Sequence, residues 1–361
     1  MGSSFTSSQN RDIIKKVDVG DKYVQKTKNE VVNTPDTFSI RYWEVINMDK
    51  VIKELNQHLA NTDFKSTIVS IQHLPDLQWD LENLLEQKIL SRDFYDEIVP
   101  HYNLFFNFEP PTDFPKAKAI IITAALQPKV SVKFKLSDKA YGVIIAPTYL
   151  QDTDKDASNI ISLYLGKYGY KIYPAKLPVK LLAVHSGLAR YGRNNIAYID
   201  GWGSFFRLKA FFSDIPCIED NWQEVRMMEF CNKCVACINK CPTGAIHQDR
   251  FLISAEKCLT FFNEKSDNFP RWVNPAWHNC FIGCMICQDV CPANKDYTEY
   301  IVPGGEFSEK ETLMILKGVL KDKLPLDTIE KLKKLYLLDE YNILQRNLEV
   351  LIRKSRVRSM L

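Results

Sequence analysis

Apolar residues recur at helical spacing in two early stretches, Met48 to Leu59 through Val51, Ile52, Leu55 and Leu59, and Trp79 to Leu90 through Leu81, Leu84, Leu85 and Ile89. Between them Ser66-Thr67-Ile68-Val69-Ser70-Ile71 predicts a short strand. Ala119 to Ala125, centred on Ile120, Ile121 and Ile122, predicts a buried strand, because its β-branched residues run without a charged interruption. Tyr141 to Ile145 is a second such run, closed by Ala146-Pro147-Thr148-Tyr149. Asp152 to Tyr168 then predicts a helix. Asp152, Asp154 and Asp156 complement the dipole of its first turn, and Ile160, Ile161, Leu163, Tyr164 and Leu165 follow. Dipole-complementing caps are the simpler reading of these three carboxylates; a proton-donor role for one of them is the sharper alternative. In the stretch that begins at Leu181 a helix is expected to reach Gly187, where glycine takes the left-handed cap. Gly192 and Gly203 permit close backbone approach to something flat or bulky. After Lys295 three or four short amphipathic helices are expected, from Leu313 to Leu320, Ile329 to Leu338 and Ile343 to Ile352.

Composition narrows this to an ordinary soluble α+β chain. Its 361 residues, 45% hydrophobic and 25% charged, suffice for two or three domains with a sizeable core. A net charge of +3 argues against a general nucleic-acid coat. Residues 305 to 361 carry 12 Lys+Arg against 9 Asp+Glu, ending in Arg353-Lys354-x-Arg356-x-Arg358, which reads first as a solvated basic end and second as a nucleic-acid contact. Residues 1 to about 40, with Lys15, Lys16, Lys22, Lys26 and Lys28 among polar neighbours, predict an irregular or wrapping arm. No apolar run is long enough to span a membrane. The N-terminus lacks an apolar signal core and a twin-arginine pair, so the expected location is cytoplasmic. Gly2 followed by Thr6 satisfies a myristoylation pattern nominally, and we read it as chance.

The chemistry lies in the cysteines. Eight of the ten form the sequence Cys231-x2-Cys234-x2-Cys237-x3-Cys241-Pro242, then Cys258, then Cys284-x2-Cys287-x3-Cys291-Pro292. In the first run, three thiolates grip one iron-sulfur cube and the fourth reaches a neighbouring cube. The expected ligation is therefore crossed: Cys231, Cys234, Cys237 and Cys291 on one 4Fe-4S cluster, and Cys241, Cys258, Cys284 and Cys287 on the other. An insertion of 25 residues between Cys258 and Cys284 separates the halves. Zinc competes, since paired four-cysteine sites use similar spacings, but gaps of two, two and three residues crowd a single tetrahedral knuckle. Disulfides need an oxidising compartment. Cys217 and Cys280 read as small apolar core residues, with Cys280 close enough to Cys284 to keep a ligand role open. The six histidines, His58, His73, His101, His185, His247 and His278, show no metal-ligand spacing. His185 reads as a satisfied core side chain.

Taken together, these marks resemble the epoxyqueuosine reductases, cytoplasmic relatives of the corrinoid-containing reductive dehalogenases. The likeness covers Pro178 through Lys295. It rests on Gly187-Leu188-x3-Gly192-Arg193-Asn194, on Gly203-Ser204-x-Phe206 leading to a strand that ends at Ser213-Asp214, and on Cys237-x3-Cys241-Pro242-Thr243-Gly244-Ala245-Ile246. Isolated Cys258 and Asn279-x3-Gly283-Cys284-x2-Cys287-Gln288-Asp289-Val290-Cys291-Pro292-x-Asn294-Lys295 complete it. The resemblance implies a reductase in which two 4Fe-4S clusters feed electrons to a base-off cobalamin held against an α/β corrinoid-binding-type domain by Gly187, Gly192, Arg193, Asn194, Gly203 and Ser204. The implied organisation is an N-terminal arm and helical region (1–110), the α/β domain (111–218), a double-cluster ferredoxin-like domain (222–300) and a short helical-repeat-like tail (305–361). Where the family carries an Arg-Asp-Tyr-His-like segment with a proton-donating aspartate, this chain reads Gln151-Asp152-Thr153-Asp154-Lys155. Ala175-Lys176-Leu177-Pro178 replaces an Asp-Ser-Ala-Pro run. Tyr149, Asp152 and Lys176 are accordingly the candidate proton sources or substrate contacts. The expected partners are a low-potential electron donor of ferredoxin or flavodoxin type and a small-molecule or modified-nucleoside substrate other than epoxyqueuosine, with tRNA not favoured. A corrin-free electron carrier or activase is the alternative.

Overall fold

The computed structural model describes residues 42 to 358 other than 151 and 250, and the arm expected over residues 1 to 40 lies outside the described residues. In chain order the elements are α1 (Tyr42–Ala60), β1 (Phe64–Ser70), α2 (Leu74–Glu86), α3 (Arg92–His101), β2 (Ala119–Leu126), β3 (Lys129–Leu136), β4 (Lys139–Ile145), α4 (Asp152–Gly166), β5 (Ile172–Ala175), α5 (Val179–His185), β6 (Arg190–Tyr191), β7 (Ala197–Tyr198) and β8 (Phe206–Ser213). The cluster-loop region holds α6 (Ala236–Lys240), α7 (Leu259–Glu264) and α8 (Ile286–Asp289), and β9 (Ile301–Phe307), α9 (Glu309–Leu316), α10 (Leu326–Lys334) and α11 (Tyr341–Arg358) follow.

A four-stranded sheet of order β1-β2-β8-β5 organises the first half. Ile120, Ile122 and Ala124 of β2 pack on one face with Leu74 and Leu77 of α2 and Leu182 to Val184 of α5. Ala119, Ile121 and Ala125 pack on the other with Leu55 and Leu59 of α1 and Ile161 and Leu165 of α4. A strand covered on both faces needs no polar alternation, which accounts for its uninterrupted apolar run. Every pairing is antiparallel, so the α/β domain expected over 111–218 is instead an antiparallel sheet with helices on both sides. The boundary expected near residue 110 also falls away, because β1 pairs along its whole length with β2, Ile68 opposite Ile121. Helix α2 begins earlier than the apolar spacing suggested, since Pro75 suits the first helical turn.

A second sheet has the order β4-β3-β9. The β3-β4 hairpin turns through Ser137 and Asp138, both left-handed at φ 52 and 58, while β9 joins β3 in parallel. Val130, Val132 and Phe134 of β3 share one core with Phe307 of β9, Ile315 of α9, Leu332 of α10 and Ile343, Leu344 and Leu348 of α11. Residues 305–361 are therefore no separate tail: they complete the core begun by residues 129–145. Most of the basic end is held within this fold as well, with Arg353 paired to Glu349, Lys354 donating to the His278 carbonyl and Arg356 to the Tyr141 hydroxyl at 3.2 Å.

Candidate functional site

The last cysteine loop sits against β4, at the edge of the second sheet. Phe281 donates its backbone N–H to the Ile144 carbonyl at 2.6 Å, extending β4 into the loop that carries Cys284. Asn263, fully buried, donates to the Gly283 carbonyl at 2.6 Å and meets His278 Nδ1 at 2.8 Å. From α11, Asn347 donates to the carbonyls of Asn263 at 2.8 Å and Phe281 at 2.9 Å. Backbone carbonyls of irregular loops need such partners when buried, so α11 fixes the cysteine loops as well as filling the core.

Among the described residues no three Cys, His, Asp or Glu side chains converge as the ligands of a single ion would. The eight thiols surround two cavities instead. Cys231, Cys234, Cys237 and Cys291 line a small one with Gly192, Arg193, Asn194 and Tyr198. Cys241, Cys258, Cys284 and Cys287 line a larger one, of about 300 Å³, whose remaining wall is largely apolar: Ala146, Val179, Ile196, Ala197, Leu208, Ala245 and Ile246 among others. Burial pushes the Cys237 and Cys284 thiols up to about 11. Metal-free thiols of this kind hold their protons, and iron must displace them. The donors that favour the thiolates are already in place: the N–H groups of Ile238 toward Cys237, Thr260 toward Cys258 and Ile286 toward Cys284, and the Asn279 amide 3.2 Å from Cys284 Sγ.

The glycine-turn residues divide between these tasks. Asn194 lines both cavities and donates to the Tyr198 hydroxyl at 2.9 Å. Arg193 binds the Cys231 carbonyl at 2.6 Å and the Gln248 carbonyl at 3.1 Å, steadying the first cysteine loop. Ser204 lines the larger cavity and is held by Asn294 at 2.8 Å and Gln288 at 2.8 Å. At Gly203 the approaching group is the protein itself: φ is +60, and a Cβ would stand 2.1 Å from Asn294 Oδ1. Gly192 packs against Tyr198 and the Asn194 side chain, whereas Gly187 (φ +75) faces Gln223 in a separate surface hollow.

Of the three proton-source candidates, only Tyr149 lines the larger cavity. Asp152 accepts a hydrogen bond from Tyr336 at 2.5 Å, and Lys176 donates to Asn103 at 2.9 Å and lies over the Phe105 ring; neither belongs to the cavity wall. Asp154 is engaged by Arg207 through two contacts of 2.7 and 2.9 Å. Two residues at the site have no signal in the sequence. Lys180, four residues beyond Lys176, is an exposed residue at the cavity wall, and its ammonium reaches the Asn195 carbonyl at 3.4 Å. Glu264, at the end of α7, accepts a hydrogen bond from the Tyr149 hydroxyl and has Tyr102 beside it, and burial pushes it up to about 7 against these two hydroxyls. His185 is a satisfied core residue, bonded to Asp80 and the Gln223 carbonyl at 2.6 Å each. Cys280 is buried with Ala146, Phe205 and Met285, and Cys217 packs at the edge of the α1-α4 core.

Residues 230–294 match the family described as a 4Fe-4S double cluster binding domain. An epoxyqueuosine reductase of Cyclobacterium marinum is 27% identical over 218 residues, 60% of this chain and 64% of that protein. The chain is similar to the epoxyqueuosine reductases. It therefore spans just under two thirds of that curated reductase. The fold agrees: the structure of epoxyqueuosine reductase from Bacillus subtilis superposes with a TM-score of 0.57 at 18% identity, covering 85% of this chain and 82% of that one. That of an epoxyqueuosine reductase with an epoxyqueuosine-modified tRNA stem loop gives 0.53 at 17% identity, over 85% and 82%. Among the described residues no helix is long and apolar enough to cross a membrane.

Proposed function

We propose that this relative is a cytoplasmic iron-sulfur reductase that takes electrons from a low-potential ferredoxin or flavodoxin and reduces a small molecule or modified nucleoside in the cavity beside its second cluster. One observation carries the reading: four of the eight thiols open onto an apolar cavity of about 300 Å³ backed by the sheet, while the other four enclose a separate site. Cys231, Cys234, Cys237 and Cys291 would hold the first 4Fe-4S cluster, and Cys241, Cys258, Cys284 and Cys287 the second. Phe230 and Val235, 40% and 38% exposed, leave the first cysteine loop open to a docking donor.

The aliphatic wall of the larger cavity would also suit a base-off cobalamin, and among the described residues no histidine lines it. The clusters supply single electrons and a bound cobalamin would supply a strong cobalt(I) nucleophile or reductant. The chain's own part is to exclude water with Val179, Ile196, Leu208 and Ile246 and to present Asn194, Ser204, Lys180 and Tyr149 to the bound molecule. The position taken by the family's acid is tied to Tyr336 here, which supports a substrate other than epoxyqueuosine.

Protein prepared without oxygen should contain about eight iron atoms per chain, as two cubes require, and should bind cobalamin stoichiometrically with a base-off spectrum. Iron without cobalamin uptake would favour a corrin-free electron carrier. Cells lacking their own epoxyqueuosine reductase should not regain queuosine when supplied with this chain.

A further inference from the structure

The tyrosine in the cavity wall does not stand alone. Its hydroxyl donates to Glu264, and Tyr102, 36% exposed, lies beside the same carboxyl. Three proton-carrying groups thus run from solvent to the cavity, drawn from the residue after α3, the end of α7 and the turn before α4. Asn263 and Gly283 brace the cavity end. Gly283 sits at φ +74, and a Cβ there would fall 2.5 Å from the Tyr149 hydroxyl oxygen, so the backbone has made room for this phenol against the loop of Cys284. The charged and titratable groups facing Glu264 are Tyr102, Tyr149, Glu340 and, more distantly, Cys258. Among the described residues no cation pairs with it; Lys265 next to it turns instead to Glu97 and Asp267.

Resting on the reductase reading above, we propose that Glu264 is the proton store of the cavity, charged from solvent through Tyr102 and discharged through Tyr149. The balance is simple. When a bound molecule takes a proton from the Tyr149 oxygen, the Glu264 carboxyl passes its own proton to that oxygen, leaving a carboxylate. The carboxylate then takes the Tyr102 hydroxyl proton as Tyr102 takes one from water. No electron moves along this path; electrons arrive separately from the clusters. A concerted hop is required because burial and Glu264 itself hold the Tyr149 phenol far above its ordinary pKa, so a free phenolate there is costly. A carboxyl held near neutrality is matched to working as an acid.

The test needs no substrate. In protein holding both clusters, reduction of the second adds negative charge near Glu264 and raises its proton affinity. Its midpoint potential should accordingly stay flat below about pH 7 and fall as pH rises above it, in step with a carboxylic-acid infrared band that titrates in the same window. Glu264→Gln should abolish both behaviours while leaving the first cluster's potential unchanged. Tyr102→Phe should keep the band and slow proton uptake after photoreduction at least tenfold. Tyr149→Phe should keep the uptake and remove the tyrosine infrared shift that accompanies it. A pH-independent potential in the parent protein, or uptake undiminished in Glu264→Gln, overturns the proposal. Absence of a cubane signal overturns the reductase reading instead, so the two failures are distinct.

Discussion

At Gly203 a single hydrogen atom decides whether two parts of the molecule meet. Replacement by alanine would place a methyl group 2.1 Å from Asn294 Oδ1 in a conformation, φ +60, that side chains rarely adopt. Gly203→Ala should cost about 2 kcal/mol or more and lower the thermal midpoint of the iron-loaded protein, as measured by calorimetry. His185 illustrates the opposite sign of control. Burial lowers its pKa, but Asp80, the Gln223 carbonyl and nearby Asp76 outweigh burial and hold it above the ordinary histidine value. Its bond to Asp80 therefore adds stability that is full below about pH 6.5 and is lost as pH rises through the folded-state pKa. A His185→Gln variant should be less stable than the parent near pH 6 and should show a smaller difference near pH 9, in denaturant titrations. The eight cysteines were legible from spacing because cube ligation imposes that spacing directly. Glu264 and Lys180 were not, since their place at the cavity comes from packing beside residues distant in sequence, and no local pattern records it.

Elements show the same division. The apolar runs behind β2 and β4 carry no charge, whereas β3 alternates buried Val130, Val132 and Phe134 with Ser131, Lys133 and Lys135, the period of a strand covered on one face. Strand β9 contains Pro303, Gly304 and Gly305, which ordinarily argue against a strand. It is tolerated at the sheet edge, where Gly304 lets Val130 and Leu335 approach. Helix α9 is secured by a capping box in which Ser308 accepts from the Glu311 N–H and the Glu311 side chain reaches back to Ser308. Ser308→Ala should destabilise the protein by about 1 kcal/mol in denaturant titrations, with iron content unaffected. At the first turn of helix α4, Asp154 ties the helix to Arg207 of β8.

For the whole molecule, the proposed crossed ligation makes a specific stoichiometric demand. Cys258→Ser should remove about half of the iron, and Cys291→Ser the other half, each measured on protein made without oxygen; unchanged iron in either would reject the partition. Removal of residues 341–361 should be far more severe. It strips Ile343, Leu344 and Leu348 from the second core and leaves the Asn263 and Phe281 carbonyls without Asn347, and the expected outcome is insoluble or iron-free protein.

Helix α11 is translated after every loop it closes upon. While the chain is still being made, the cysteine segments between 231 and 291 have nothing from that helix to pin them, and once Asn347 seats against Asn263 and Phe281 they are clamped from behind. The geometry of these loops is therefore set late, by a helix that follows all of them in the sequence.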